Sequence, residues 1–403
     1  MERRNFFKAL AAGSFYLSIP TARAASQKDL ANLDMIETAA EVSSGRVSMF
    51  DISKAAMDRI DALNPHINAL VTKTYDYGVR QIAKNPTGPL AGVPYMLKDL
   101  NSLAGVRTTR GSRLFTSHTS SRQSPYTDNI LSSGVIILGK TNTPEFGLMP
   151  TTEPVANGAT RNPWNLGYSC GGSSGGAAAS VASRMIAAAQ ASDGGGSIRF
   201  PAAACHLFGL KPSRGRFGDQ GYENQLVSLS IKHAISRTVR DSAFMLALTE
   251  NGPGATLSPV GYVEGPTNKK RKFALSMNAG NVSPDYDTRR SVQKVAQRLE
   301  GLGHEVEVVN STPHDSPLFQ DLFAGLWGQG AARLLDLAER VTGVPAAQSG
   351  LLEFATLKMI EFYVDKPIIE DARIKEILGD LANQMETFYR SYDGWISPMS
   401  PIP

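Results

Sequence analysis

The apolar residues of this chain recur with two different periods. Between Asp34 and Leu63 they return every three to four positions, which predicts helix, and Ser48 with Asp51 forms a capping pair inside that stretch. Proline interrupts helices, so we expect Asn64-Pro65 to end it.

Four later stretches also predict helices. The very small residues from Ala177 to Arg184 let neighbouring backbones approach closely, and a short helix can begin at Ser197. The apolar positions between Val292 and Leu302 mark an amphipathic helix, and Leu318 to Tyr392 is mainly helical.

Short apolar runs without a helical period predict strands. The run of branched residues from Gly134 to Lys140 is typical of a buried strand, and Met185 to Ala191 predicts another. Further strands are predicted in HINALV (66–71), GVPYMLKD (92–99), FGLKPSRGR (208–216), KFALSM (272–277) and HEVEVVN (304–310). Helices that alternate with buried strands indicate an α/β fold with a mixed or largely parallel sheet. Since the chain contains no repeat or long linker, we expect residues 25–403 to form a single domain.

Composition narrows the possible functions. The chain has 403 residues, and its 41 basic and 37 acidic side chains are interspersed, which predicts no nucleic-acid partner. Two cysteines allow neither a disulfide framework nor a four-cysteine zinc site, and the sequence leaves open whether Cys170 and Cys205 pair. The histidines are scattered without an HExxH motif, so no metal or other cofactor is predicted.

The first residues have the pattern of an export signal. Arg3 and Arg4 precede a mildly apolar run, and Ala22-Arg23-Ala24 fits a cleavage site, which resembles a bacterial twin-arginine signal in residues 1–24. The alternative is an ordinary basic, amphipathic terminus. The apolar run is too short for a membrane span, which needs about 20 residues. We therefore expect export by the twin-arginine machinery and a mature protein that begins near Ala25 in the periplasm or outside the cell.

Two clusters of glycine and serine, SCGGSSGG (169–176) and DGGGS (193–197), suggest a reactive site. A phosphate cradle would need GxxxxGK[ST] or GxGxxG, and neither occurs in these two clusters. GxSxG matches around Ser169, Ser173 and Ser174, but a nucleophile elbow also needs an apolar strand before it. A third hypothesis is a serine activated by a buried neutral lysine, for which Lys98 is the candidate; the alternative is a surface lysine paired with Asp99.

Five blocks together decide among these hypotheses. GVPYMLKD, GKTNTPEFG, ATRNPWN, GGSSGG and DGGGSIRFPAAACHLFGLKPSRGR follow one another as in the amidase signature family, and ISRTVRD (235–241) is a further similarity. Each block alone is a weak match, whereas five in order are specific. The resemblance is dense from residue 91 to 217 and implies a large mixed central sheet covered by helices on both faces.

The resemblance also implies a catalytic set of a serine, a serine after a cis peptide bond, and a lysine. Carried over by position, Ser197 is the nucleophile, Ser173 the proton bridge and Lys98 the base. Ser174, Asp193 and Arg199 stand at supporting positions.

The glycines of the two clusters are consistent with this catalytic set. Gly171 and Gly172 give the backbone freedom around a cis peptide bond before Ser173. Gly194, Gly195 and Gly196, with the N–H of Ser197, would form an oxyanion hole, and a helix that starts at Ser197 would add its positive end.

Two cysteines and one histidine lie near these motifs. Cys170 and Cys205 flank the motifs, but no histidine pairs with them in a recognisable pattern, and Cys205 is interpreted as a packing residue. His206 stands where the family usually has glycine.

The resemblance implies an amidase that acts on small linear or cyclic amides, including cyclic oligoamides of the nylon type. The family subunit that serves tRNA amidation works in the cytosol, so the export signal argues against that role. A set of apolar residues in the helical region could line an acyl pocket, or could simply pack in the core as helix-spaced aromatics often do: Phe319, Phe323, Leu326, Trp327 and Phe362. Relatives usually continue past the end of this chain. The alternative is therefore that the protein is C-terminally truncated, has impaired or no catalytic activity, and only binds amides.

Overall fold

The computed structural model describes residues 30–217, 229–252, 254–278, 282–315, 317–364 and 369–402. The predicted export signal, residues 1–24, lies outside these ranges. Among the helices within them, none has both the length and the apolar character needed to cross a bilayer.

The described residues form helices and strands in alternation along most of the chain. The α-helices are α1 (Met35–Ser43), α2 (Met49–Ile67), α3 (Tyr75–Ala83), α4 (Pro125–Ser132), α5 (Gly175–Ala182), α6 (Arg199–Ala204), α7 (Val239–Thr249), α8 (Tyr286–Gly301), α9 (Pro317–Thr342), α10 (Phe354–Val364) and α11 (Asp371–Ser391). The strands are β1 (Leu70–Lys73), β2 (Pro94–Lys98), β3 (Ile136–Thr141), β4 (Arg161–Asn162), β5 (Asn165–Ser169), β6 (Ala188–Asp193), β7 (Phe208–Gly209), β8 (Ile231–Ser236), β9 (Lys272–Leu275), β10 (Glu305–Val308) and β11 (Gly394–Ile396).

Several strands that carry the blocks named above pair with one another at the centre of the fold. β2 runs parallel to β3, which pairs antiparallel with β1. β8 pairs antiparallel with both β6 and β7, and β6 packs beside β2. The predicted mixed α/β fold is therefore confirmed.

Hydrophobic cores lie on both faces of these central strands. Alternation along a strand directs successive side chains to opposite faces, and Met96 joins one core while Tyr95 and Leu97 join the other. The first core packs against α2 and α5, and the second against α1, α4 and α7. All residues of β2 and β3 are buried, which explains why apolar residues fill both strands up to Lys98 and Lys140.

The predicted first helix is two helices in the structure. Ser48 caps α2 by accepting a hydrogen bond from the Asp51 N–H at 3.0 Å, as the sequence indicates. The predicted end at Asn64-Pro65 is wrong, because α2 continues to Ile67 with Pro65 inside its last turn. Asn68, at φ +56°, ends the helix instead, and the expected HINALV strand is reduced to β1.

The last part of the chain combines a small parallel sheet with long helices. β9 pairs in parallel with β10 and β11, which confirms the strands predicted in KFALSM and HEVEVVN. The mainly helical character of residues 318–392 is also confirmed by α9, α10 and α11. The amphipathic face predicted for α8 is only partly buried, since Ala296 is covered while Val295 and Leu302 are more than half exposed.

Candidate active site

Lys98 is the last residue of β2, and its side chain is fully buried. Its Nζ lies near three hydroxyl oxygens: 2.7 Å from Ser173 Oγ, 2.9 Å from Ser174 Oγ and 3.2 Å from Ser192 Oγ. The Lys98 backbone N–H donates to the side-chain oxygen of Gln190 on β6 at 2.9 Å. The end of β2 thus holds an amine among hydroxyls and away from solvent.

Burial lowers the pKa of Lys98 to about 7, because the protein interior stabilises an ammonium ion less than water does. The carboxylate of Asp193 acts in the opposite direction. A substantial fraction of the amine is therefore uncharged near neutral pH. The alternative of a surface lysine paired with Asp99 is wrong, since Asp99 accepts instead from Lys140 Nζ at 3.2 Å.

Ser173 lies in the loop that leads from β5 to α5. The peptide bond between Gly172 and Ser173 is cis, and Gly171 has φ +71°. The hydroxyl of Thr152 fastens this loop, because it donates to the Gly171 carbonyl at 2.9 Å and accepts from the Gly175 N–H at 3.1 Å. Ser173 itself is 2% exposed.

The second glycine cluster begins where β6 ends and carries Ser197, which is 9% exposed. The Ser174 N–H donates to the Ser197 carbonyl at 3.2 Å, so the two clusters touch through their backbones. Within the described residues, the Ser197 hydroxyl forms no hydrogen bond with Ser173. The structure therefore joins Lys98 to Ser173 directly and places Ser197 on the neighbouring loop.

Asp193 organises this second loop. Its carboxylate accepts two hydrogen bonds from the Arg199 guanidinium, each 2.9 Å long. It also accepts from the backbone N–H groups of Gly196 at 2.8 Å and Ile198 at 3.1 Å. Burial alone would raise the pKa of Asp193, but the bonds and charge of Arg199, with those N–H groups, hold the pKa below its ordinary value.

These contacts correct the predicted oxyanion hole at one position. The Gly196 N–H already points at Asp193, so it is not free for a substrate oxygen in this arrangement. Among the described residues, the N–H groups of Gly194, Gly195 and Ser197 have no acceptor. The helix expected to start at Ser197 begins at Arg199 and is only six residues long, because the Asp193 contacts hold residues 196–198 in a turn.

Aromatic side chains of α9 cover the same loop. A Cβ added to Gly194 would lie 3.0 Å from the Trp327 ring, and one added to Gly195 would lie 3.0 Å from the Phe323 ring. Phe323 stacks between Trp327 and Phe319, with ring centroids 5.7 Å and 6.3 Å away. A residue larger than glycine at either position would therefore press against these rings, which would have to move by a few tenths of an ångström.

Two members of the predicted pocket lie elsewhere. Leu326 packs against a separate cluster of α9 and α11, and Phe362 is 61% exposed and contacts Tyr363 edge to face. The position of Leu326 follows from the helical period of α9, which turns this residue away from the loop that Phe323 and Trp327 face.

Comparison with known proteins agrees with the geometry. A family model described as Amidase matches residues 51–403. The chain belongs to the amidase family. AmiC of Mycobacterium tuberculosis is 37% identical over 304 residues, which are 74% of this chain and 64% of AmiC. The chain thus spans less than two thirds of that relative.

Two further similarities cover more of the chain. The acylamidase of Rhodococcus erythropolis is 31% identical over 388 residues, covering 93% of this chain and 80% of that enzyme. The solved structure of 6-aminohexanoate cyclic dimer hydrolase complexed with substrate is 28% identical, with a TM-score of 0.82 over 90% of this chain and 78% of that one.

The structure also accounts for His206, Cys170 and Cys205, the three other positions near the motifs. His206 has φ +56°, a conformation that favours glycine, and its ring lies edge to face against Trp164 at 6.0 Å. Cys170 and Cys205 are both free and buried, and burial raises the pKa of each thiol, for Cys205 to about 12. Such thiols are poor nucleophiles, which agrees with a packing role for Cys205.

Sequence reasoning missed two polar contacts of this candidate site. Ser192 contributes the third hydroxyl around Lys98, and the only available signal was its place directly before the DGGGS cluster. Lys140 is part of the GKTNTPEFG block, but its pairing with Asp99 depends on the register between β2 and β3 and could not be predicted from the sequence. In the part of the chain that the structure describes, no group of His, Cys, Asp or Glu is arranged to hold a metal ion.

Proposed function

We propose that this protein is an amidohydrolase that cleaves a non-peptide carboxylic amide through an acyl-enzyme on Ser197. Ser173 and Lys98 act as its proton relay. The observation that carries the proposal is the fully buried Lys98 amine 2.7 Å from the Ser173 hydroxyl. A buried lysine without a carboxylate at hydrogen-bond distance can serve as a base, because burial favours its neutral form.

The hydrogen bonds around Lys98 favour one direction for the proton. The Ser174 hydroxyl donates to the Ser192 carbonyl at 3.1 Å, and a carbonyl oxygen can only accept. Ser174 Oγ must therefore accept a hydrogen from Lys98. We assign the second N–H of the neutral amine to Ser192 Oγ, which leaves its lone pair for the Ser173 hydroxyl. Lys98 is thus oriented to take a proton from the bridging serine.

The proposed reaction moves one proton along this route and back. Lys98 takes the Ser173 proton while Ser173 takes that of Ser197, and Ser197 Oγ bonds to the amide carbonyl carbon. The free N–H groups of Gly194, Gly195 and Ser197 stabilise the resulting oxyanion. The C–N bond then breaks, and the leaving amine receives the proton through Ser173.

Water completes the cycle by the same route. It loses a proton to the relay, attacks the acyl carbon and releases the carboxylic acid with Ser197 restored. Because the structure shows no hydrogen bond between the Ser197 and Ser173 hydroxyls, the proposed first step includes their approach to hydrogen-bond distance. Such catalytic hydrogen bonds commonly tighten only when substrate binds.

The wall of Phe323 and Trp327 beside the glycine loop favours an amide with an apolar acyl part. Both linear and cyclic amides are candidates, since the similar proteins include an acylamidase and a cyclic dimer hydrolase. Amine release from a panel of aryl, fatty-acid, dipeptide and cyclic amides tests this function. We expect release by the wild type and none by Ser197→Ala. An amide-binding protein without activity would bind members of the panel and release no amine from any of them.

We also propose that the protein is exported by the twin-arginine route. The proposal rests on Arg3 and Arg4 before an apolar run and on Ala22-Arg23-Ala24. Replacing both arginines with lysine should trap the full-length chain inside the cell. Wild-type protein recovered from the periplasm should begin near Ala25; full-length protein found only in the cytosol would contradict the proposal.

A further inference from the structure

A second buried lysine lies beside the active site. Lys140 on β3 is fully buried, and its Nζ contacts Asp99 Oδ1 at 3.2 Å and Thr108 Oγ1 at 3.0 Å. The other carboxylate oxygen of Asp99 accepts from the N–H of Thr109 at 2.9 Å and from its hydroxyl. The proposed reaction uses neither Lys140 nor Asp99.

The register of the sheet brings this pair close to the base. β2 and β3 are parallel, with Leu97 beside Lys140 and Lys98 beside Thr141. Asp99 follows Lys98 directly, in the turn after β2, and its carboxylate contacts Lys140 Nζ. Lys98 reaches the serines, while Asp99 reaches Lys140.

The pairing of Lys140 with Asp99 affects the charge of Lys98. A buried carboxylate one residue from the base would favour the ammonium form of Lys98, since charges act over longer distances in a protein interior than in water. A base that stays protonated cannot accept the proton of Ser173. We propose that Lys140 is a positioning residue of this reaction, whose ammonium balances the Asp99 carboxylate and so leaves Lys98 free to act as a neutral base.

The other charged side chains on the elements packed against β2 have partners of their own. Asp193, at the end of β6, is paired with Arg199. α5, which packs on β2, carries no charged side chain. On α2, Arg59 donates to the carbonyls of Arg184 and Met185.

The charged residues nearest Lys140 act on the same balance. Burial lowers the pKa of Lys140, and the guanidinium groups of Arg110 and Arg107 act in the same direction, whereas the charge and hydrogen bond of Asp99 raise this pKa and favour the ammonium form. The Lys140 ammonium thus compensates the charge of the Asp99 carboxylate.

The inference rests on the proposed role of Lys98, and the two can be tested separately. The probe is a fluorophosphonate, whose rate of covalent attachment to Ser197 is measured between pH 5 and 10 and gives the midpoint of the acidic limb. Wild-type protein that is never labelled at Ser197 would overturn both proposals. Labelling of the wild type with unchanged midpoints in the variants would overturn only the role of Lys140.

The decisive variant is Lys140→Gln, which can still donate a hydrogen bond to Asp99 but has no charge. We expect its midpoint to rise by about one pH unit, which makes labelling about tenfold slower on the acidic limb. Lys140→Arg, which keeps the charge, should retain the wild-type midpoint even if its rate falls. The double variant Asp99→Asn/Lys140→Gln removes both charges and should return the midpoint to the wild-type value.

A purely structural role predicts a different pattern. It would lower the rate at every pH without moving the midpoint, and the double variant would be no better than Lys140→Gln. Either result would overturn the inference. Should Lys140→Gln not fold, as judged by circular dichroism, the apolar Lys140→Met is measured against the same double variant with the same expected shift.

Discussion

Lys98 Nζ and Ser173 Oγ lie 2.7 Å apart, and neither side chain is more than 2% exposed. Because burial lowers the pKa of Lys98 to about 7, this contact joins a hydroxyl to an amine that changes charge near neutral pH. Lys98 must be neutral to accept a proton, so activity should fall as the pH drops below the pKa.

The first prediction is therefore an acidic limb in kcat/KM with a midpoint near pH 7, since this ratio reports the pKa of the free enzyme. The measurement is amine release from one hydrolysed amide across pH 5 to 10. An activity that stays constant from pH 8 down to pH 5 would contradict the assignment of Lys98 as base.

The second prediction concerns the stability cost of Lys98. Its pKa falls from 10.5 to about 7 on folding, so between these values the unfolded chain binds more protons and stability rises with pH. The cost of burying the lysine is thus largest below pH 7. Lys98→Met should abolish activity and raise the free energy of unfolding by about 1 to 3 kcal/mol at pH 7. That gain should shrink toward pH 10.

Urea unfolding at pH 7 and pH 10 measures this effect, with Lys294→Met as the matched control. Lys294 is an exposed residue of α8, and its replacement should change stability equally little at both pH values. If Lys98→Met is less stable than the wild type at pH 7, then the lysine is not held at an energetic cost.

The third prediction tests whether the contacts between Arg199 and Asp193 hold the loop that carries Ser197. Arg199→Met removes two hydrogen bonds from the Asp193 carboxylate, which keeps only backbone donors. We expect the pKa of Asp193 to rise, the turn around Gly196 and Ile198 to loosen, and kcat to fall about 100-fold or more. Arg290→Met on the exposed side of α8 is the control and should retain wild-type kcat. Wild-type kcat in Arg199→Met would show that the Asp193 contacts do not position Ser197.

The fourth prediction concerns the acyl group. Trp327→Ala opens space beside Gly194 and should raise KM for amides with large apolar acyl groups about 10-fold or more, because buried aromatic contact is lost. Small acyl groups should be affected much less. Phe354→Ala, which removes a 75% exposed ring, should leave both KM values unchanged. Equal effects on large and small acyl groups would argue against a pocket at Trp327.

The fifth prediction concerns His206, whose φ of +56° favours glycine. His206→Gly relieves this conformation and loses only an edge contact with the exposed Trp164 ring. We expect the free energy of unfolding to rise by about 0.5 to 1 kcal/mol. Thermal unfolding checks this value, and a clear loss of stability would show that the ring contact outweighs the backbone conformation.

Local patterns in the sequence were enough to predict the central elements. β3 and α5 were identified because branched or small apolar residues fill them without interruption, and Ser48 was identified as a cap because capping depends on neighbours three residues away. The end of α2 was missed because Pro65 falls in its last turn, where the capping residue Asn68 rather than the proline ends the helix.

Contacts between distant segments could not be predicted. Whether the Gly196 N–H is free depends on the direction of the Asp193 carboxylate, which the arginine at 199 fixes in three dimensions. The partner of Asp99 depends on strand register, and the place of Phe362 depends on how α10 packs against its neighbours. The resemblance assigned roles to Lys98 and Ser173, whereas burial and distance supply the physical reason for them.

The most direct test of the central claim is site-mapped labelling by a fluorophosphonate at pH 8. The account predicts one adduct, located by peptide mass spectrometry on Ser197 and absent in Ser197→Ala. It also predicts that Lys98→Met is labelled at least about 100-fold more slowly than the wild type, since a general base contributes that much or more. An adduct on another residue, or labelling of Lys98→Met at the wild-type rate, would contradict the proposed relay.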